Sequence, residues 1–340
     1  MSRRVYVFIA IIGIFAGCYS MSTPAQEFYH EREDVQNWIN DFAGRENLNP
    51  EFLSYYLAKT QKHERILSLM DAPVKTPPGW YEYAPRFLND GRIDAGALFW
   101  RINETYLTQA ARYFSVPPEI IVSIIGIETY YGRNTGGFPV LDALATLAFD
   151  YPRRADYFRT ELEQFFMLTL DNRFDQLQLK GSYAGAMGIA QFMPRSYRHF
   201  AVDFDGDGKI DLWQSADAIG SIAFYLFEHG WQHGGKILSD AVIPNEVSAN
   251  ILPLINSGLS ETKSWQEWQT LGVTLPPFSE TIANDEILAM VMLDTAENTP
   301  VYYLAHDNFR VIMRYNKSRM YATAVKQLAD ALVARRFRDY

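Results

Sequence analysis

The sequence predicts a mainly α (α+β) fold with a small β portion late in the chain. Three observations predict it. Apolar residues recur at helical spacing from Glu27 to His229. From Ile251 that pattern gives way to short apolar runs broken by Asn, Thr and Pro. From Tyr321 to Val333 the helical pattern returns. At 340 residues the chain exceeds one typical domain, which implies one large lobed unit or two to three small ones.

The elements follow in order. Trp38-Ile39, Phe42 and Arg45 repeat at helix spacing, and Phe52, Leu53, Tyr56 and Leu57 mark a second helical stretch. Pro73, Pro77-Pro78 and Gly79 form a connector before the aromatic segment Trp80–Pro85. Gly96 to Phe114 reads as one helix. Pro118 suits the first turn of the next, Glu119 to about Tyr131, which stops at Gly132. Helices are expected over Pro139–Phe149, Pro152–Leu170, Gln191–Phe200 and Ala218–His229, with a Gly-rich segment at Gly181–Gly188 and an acidic loop at Asp203–Asp217. The runs starting at Glu286, Val301 and Phe309 read as strands. No repeat is visible.

Composition excludes some roles. A net charge of −9 argues against nucleic acid, whose phosphates need a basic footprint. Hydrophobic residues at 48% and charged residues at 21% make a globular balance. Aromatics reach 15%, which most simply fills a core but also suits sugar faces. Ser2-Arg3-Arg4 followed by the apolar run Val5–Ala16 has the form of an export signal and is short for a bilayer span. Cys18 is the only cysteine, so no internal disulfide forms, and it stands where a bacterial lipoprotein signal places its acylated thiol. Phe15 replaces the usual Leu there, and Thr23-Pro24-Ala25 offers a second cleavage site that would release a soluble protein.

The chemistry concentrates in three segments. Glu119–Gly132 is an almost wholly apolar helix with one acid near its end, Glu128. Burial and the negative helix terminus both raise its pKa, and a carboxyl kept protonated can donate to a glycosidic oxygen. A surface Glu is the usual reading for a last helical turn, but this helix offers little solvated face. Gly181–Pro194 is rich in small residues that admit a ligand to the backbone, and Ser182 and Gln191 can hydrogen-bond sugar substituents; tight loop packing explains its glycines equally well. Asp203, Asp205 and Asp207 alternate before Gly208 and the Lys209 carbonyl, the first seven positions of a calcium loop, with Gln214 at position 12 in place of Glu. A metal-free Asx turn is the competing reading.

Gly126-Ile-Glu128-Thr-Tyr-Tyr-Gly-Arg133, Leu141–Arg154 and Gly181–Pro194, in that order, resemble the membrane-bound lytic murein transglycosylase B family. The likeness runs from about Trp80 to the C-terminus. It implies a lysozyme-like catalytic core within a helical domain, and a small late β domain. The expected organisation is a lipoprotein-type signal peptide over 1–17, a tether over 18–30 and a helical domain over 31–115. The core with its EF-hand-like loop 203–217 spans 116–235, the β-containing domain 236–315, and a helix returning to the helical domain 316–340. The resemblance also implies Glu128 as catalyst, a glycan groove at Tyr83, Ser182, Gln191, Tyr225 and Tyr315, and Asp217 as the last ligand of a structural Ca2+. Arg153 and Arg154 become candidates for peptide-stem carboxylates, because a guanidinium fork fits them; solvated charge at a turn is their plainer reading.

By that resemblance one carboxyl serves twice. Glu128 protonates the oxygen leaving N-acetylmuramic acid, then takes the proton of the C6 hydroxyl as a 1,6-anhydro ring closes. The nearest other acids are Asp142, which reads as a helix cap, and Asp150. Hydrolysis of the same bond by a muramidase, and glycan binding without cleavage, are the alternatives; an unused buried carboxyl speaks against the last. Expected partners are peptidoglycan strands, the bacterial outer membrane through the lipid anchor, and cell-wall synthases or amidases. The expected place is the periplasmic face of that membrane, or the soluble periplasm. No organic cofactor is expected.

Overall fold

The computed structural model describes residues 28–72, 79–244, 248–255, 258–296 and 299–338. The signal peptide, Cys18 and Ala25 lie outside these residues. The chain divides into two compact units, one up to Lys59 and one from Thr60. In the first, α1 (Glu33–Glu46) ends where Asn47 takes a left-handed conformation. α2 (Pro50–Leu57) opens with Pro at its first position and the Asn49 side chain accepting from Glu51 N–H at 2.9 Å. Val35, Ile39 and Phe42 on α1, and Leu53 and Leu57 on α2, are fully or almost fully buried.

The second unit begins with α3 (Glu64–Met70), α4 (Trp80–Tyr83), α5 (Asp90–Ile102) and α6 (Glu104–Phe114). The single helix expected over Gly96–Phe114 is broken at Asn103, whose side-chain amide donates to Phe99 O at 2.9 Å and competes with the backbone ladder. α7 (Pro118–Thr129) is buried continuously from Ile120 to Gly126, and α8 (Val140–Asp150) from Val140 to Phe149. Each Ile or Leu buried here contributes about 1.5–3 kcal/mol before entropy is counted. α9 (Ala155–Asp171) packs on α8, and the two-residue strands β1 (Phe138–Pro139) and β2 (Lys180–Gly181) pair beside them. α10 (Pro194–Phe200) starts three residues later than expected, and α11 (Ser215–Glu228) three residues earlier. Asp142 is not a cap. It accepts from Gln61 N–H at 3.2 Å and pairs with His63 Nε2 at 2.8 Å.

β3 (Leu238–Ala241), α12 (Ser248–Ile255), β4 (Thr262–Ser264), α13 (Trp265–Thr270), β5 (Ile287–Asp294) and β6 (Pro300–Ala305) follow. The four strands form an antiparallel sheet of order β3-β6-β5-β4 with its own core of Ile251, Ile255, Trp265, Trp268, Leu288 and Leu304. Phe309–Tyr315, expected as a strand, is helical: α14 spans Asp307–Tyr315. Its buried residues, Asn308, Phe309, Val311 and Ile312, follow the helical period, which the β-type composition masked. α15 (Arg319–Arg338) returns to pack on α7 and α5. Where the chain leaves for the sheet and comes back, the Asn308 side chain accepts from Gln232 N–H and donates to Gln232 O and Gly235 O, all within 2.9 Å. His306 N–H closes the same neck on Ile237 O. Among the described residues no single helix is long and apolar enough to cross a membrane.

Candidate active site

The end of α7 presents Glu128. Tyr130, Tyr131 and Gly132 are all left-handed, so the helix stops sharply at Thr129 rather than at Tyr131. Tyr130 N–H and Tyr131 N–H return to the Gly126 and Ile125 carbonyls. Arg92 Nη1 also donates to Gly126 O, and the Arg92 guanidinium lies 4.7 Å from the Tyr130 ring centre. Tyr131 packs against Phe99, and burial pushes its phenol pKa up. These two tyrosines brace the helix end.

Burial pushes the Glu128 carboxyl up to about 7; the Tyr321 hydroxyl, donating to Oε1 at 2.7 Å, pulls in the opposite direction. The ionisation of Glu128 is set by these two influences and not by a second carboxylate. Asp142 is engaged with His63, and Asp150 faces Lys62 at 3.9 Å. Tyr83, Tyr315 and Tyr321 are each raised first by burial and next by the Glu128 charge, which places all three phenols around one carboxyl. Tyr321 was not among the residues singled out in the sequence. Its only sequence signal is a tyrosine six residues beyond Tyr315, at the mouth of the last helix.

Tyr315 and Tyr321 run nearly parallel, with 10° between their rings. Tyr225 meets Tyr315 edge-on at 5.0 Å and donates its hydroxyl to Arg314 O at 2.7 Å, and burial pushes its pKa up to about 12. The Gly-rich segment closes the site from another side. Tyr315 OH donates to Ala190 O, and Thr129 Oγ1 bonds Ile189 O at 3.2 Å, so the loop is tied to the residue next to Glu128. Gly188 has φ +68°, and a Cβ there would meet Leu212 at 2.6 Å, so here the glycine is required by sterics. Ser182 Oγ accepts from Ala184 and Ala186 N–H, which leaves its proton to donate. Gln191, in the left-handed region, spends its amide N–H groups on Thr135 O and Gly188 O, which leaves the amide oxygen. Arg153 and Arg154 have other partners than this cluster: Arg153 pairs with Asp71 at 3.7 Å, and Arg154 lies over the Tyr157 and Phe158 rings.

The acidic loop brings Asp203, Asp205 and Asp217 together, with carboxylate oxygens all within 4.8 Å of one another. Asp217, 2% exposed in the first turn of α11, accepts from Phe204 N–H and Asp211 N–H. Burial raises its pKa, and the Asp205 and Asp203 charges raise it further. Carboxylates crowded in this way fit a hard cation that neutralises them. Asp207 lies outside that group of three, and its carboxylate accepts from Lys209 N–H. The loop also leans on the site: Ile189 N–H donates to Leu212 O at 2.7 Å, immediately after Asp211.

Comparison with known proteins matches these features. Residues 30–330 match the family model described as the transglycosylase SLT domain. The chain is 39% identical over 312 residues to membrane-bound lytic murein transglycosylase B of Escherichia coli, covering 89% of this chain and 83% of that protein. The structure of lytic transglycosylase SltB1 from Pseudomonas aeruginosa superposes with a TM-score of 0.83 at 39% identity, over 91% of this chain and 99% of that one. The structure of E. coli lytic transglycosylase Slt35 in complex with calcium gives 0.79 at 38% identity, over 89% and 93%. The mainly helical, lysozyme-like architecture agrees with these relatives, and the chain belongs to the lytic murein transglycosylase family of peptidoglycan-cleaving enzymes.

Proposed function

We propose that Glu128 alone carries the proton transfers in cleaving the β-1,4 bond between N-acetylmuramic acid and N-acetylglucosamine. The observation that carries this reading is a carboxyl raised to about 7 by burial, with no second carboxylate setting its charge. Protonated, it donates to the leaving glycosidic oxygen. The carboxylate that results is stabilised by Tyr321 OH and accepts the C6 hydroxyl proton as the 1,6-anhydro ring closes. No water enters the balance. Tyr83, Tyr225 and Tyr315 supply ring faces for sugars, while the Ser182 proton and the Gln191 amide oxygen meet N-acetyl or hydroxyl groups. Arg153 and Arg154, just before α9, take up peptide-stem carboxylates in this reading.

Asp203, Asp205 and Asp217, with Asp207 and the Lys209 carbonyl, are the residues that would hold Ca2+, supported by their clustering and by the calcium complex of Slt35. The ion's charge would neutralise the loop acids and so firm the Leu212–Ile189 contact behind Glu128. Acylation at Cys18 would hold the enzyme on the periplasmic face of the outer membrane, as the membrane-bound relative suggests. Glu128→Gln should bind sacculi and cleave none, and mass spectrometry of wild-type products should give 1,6-anhydro ends. Reducing ends would identify a muramidase instead, and substantial cleavage by the variant would remove Glu128 from the mechanism.

A further inference from the structure

The sheet contains a second set of chemical groups, distant in sequence and unrelated to Glu128. Ser239 Oγ lies 2.8 Å from His306 Nε2, and His306 Nδ1 lies 2.5 Å from Glu286 Oε1. With Glu286 accepting from Nδ1–H, Nε2 is left as an acceptor for the Ser239 proton. The His306 ring is 2% exposed and its backbone N–H is fixed on Ile237 O, so its orientation is set on both sides. That is the order of a hydroxyl, a base and an orienting carboxylate that nucleophilic acyl transfer needs.

Access is present as well. Ser239 lines a cavity of about 420 Å³, bordered by Gly235, Lys236, Asp240, Glu280 and Lys326. The hydrogen bond from His306 N–H to Ile237 O makes 237/306 a bonded pair, so by alternation 239/304 is bonded and the Asp240 N–H points away from β6. Val242 confirms the parity, because its N–H donates to Thr274 O on that side. The amide of the residue after the serine therefore faces away from β6 and is not spent on the β3–β6 ladder.

We propose that Ser239, His306 and Glu286 form a second catalytic site that hydrolyses small carboxylic esters of polar alcohols. Ser239 Oγ attacks the ester carbonyl as its proton passes to His306 Nε2. The alcohol leaves with that proton, and an acyl-Ser239 remains. Water then adds to the acyl carbon, gives its proton to Nε2 and releases the acid, and the proton returns to Oγ. Small acyl groups fit the cavity, and its rim of Lys and acidic side chains suits a polar alcohol better than a lipid chain.

The test uses the full chain with two probes, a fluorophosphonate and p-nitrophenyl acetate. Peptide mass spectrometry should place the phosphonyl adduct on Ser239. Ester turnover should fall by about a hundredfold in Ser239→Ala and by a smaller factor in Glu286→Gln. Glycan cleavage by Ser239→Ala should stay at the wild-type rate, which separates this site from Glu128. Wild-type protein that gives no adduct at Ser239 overturns the proposal whether or not the variants fold, as does equal ester turnover in a folded Ser239→Ala.

Discussion

Glu128→Gln should raise the stability of the protein at pH 8 and leave it nearly unchanged at pH 4. In the folded chain the carboxyl titrates at about 7, against an ordinary value of 4.5. Between those values the folded state keeps a proton that the unfolded chain releases, so the stability contributed by the neutral acid is complete below about 4.5 and is lost as pH rises through 7. The gap, at about 1.4 kcal/mol per unit, amounts to roughly 3 kcal/mol. Gln has the same shape, carries no charge and still offers an oxygen to Tyr321 OH, so the variant is spared this cost. In a chain of 340 residues, with an unfolding entropy of about 2.1 cal/mol/K per residue, the difference corresponds to roughly 4–5 °C in Tm at pH 8. Thermal melts of both proteins at the two pH values, at one fixed calcium concentration, measure it. A Tm difference of equal size at both pH values, or a wild type that is the more stable at pH 8, would refute the reasoning, because either outcome means the carboxyl is not raised in the folded state.

Tyr321→Phe keeps the ring and removes a donor that lowers the Glu128 pKa, so the limb on which activity falls with rising pH should move up by about one unit. The pH profile of anhydro-product formation checks this, and an unmoved limb contradicts it. Asp205→Asn removes one charge of the acidic loop without touching the Asp217 bonds, so the calcium-induced rise in Tm should shrink strongly, while the calcium-free Tm stays close to wild type. Gly136→Ala should cost about 2 kcal/mol or more in denaturant melts, since φ is +98° and the new Cβ would lie 2.1 Å from the Gly181 backbone.

The helix that ends at Glu128 was legible because its pattern is local: one acid near the end of a run of apolar residues leaves little solvated face. The lengths of α8 and α9 were legible for a similar reason, through apolar periods and flanking prolines. Tyr321 was not legible. It reaches Glu128 across 193 residues of sequence, and a tyrosine in a helix carries no mark of its long-range partner. The role of Asp142 was misjudged on the same ground: an acid near a helix start looks like a cap until His63 is brought against it. α14 was read as a strand because Val311, Ile312 and Tyr315 favour strands intrinsically, and the tertiary environment overrode that preference. In the acidic loop the spacing of Asp203 and Asp205 revealed the cluster, whereas Asp217 joins it only through the first turn of α11.

The neck at Asn308 has a consequence for how the molecule can be built and rebuilt. One amide side chain clasps the outgoing and incoming strands of chain, and Trp80 N–H on Asp294 and the Gln327 amide on Tyr303 OH add further ties between the sheet and the helices. For the helices that hold Glu128, the length of this excursion in itself costs little, since loop-closure entropy grows only slowly with length. The sheet can therefore lengthen, shrink or take on chemistry of its own while α7 and α15 continue to meet. Evolution is offered a socket there, and so is an engineer.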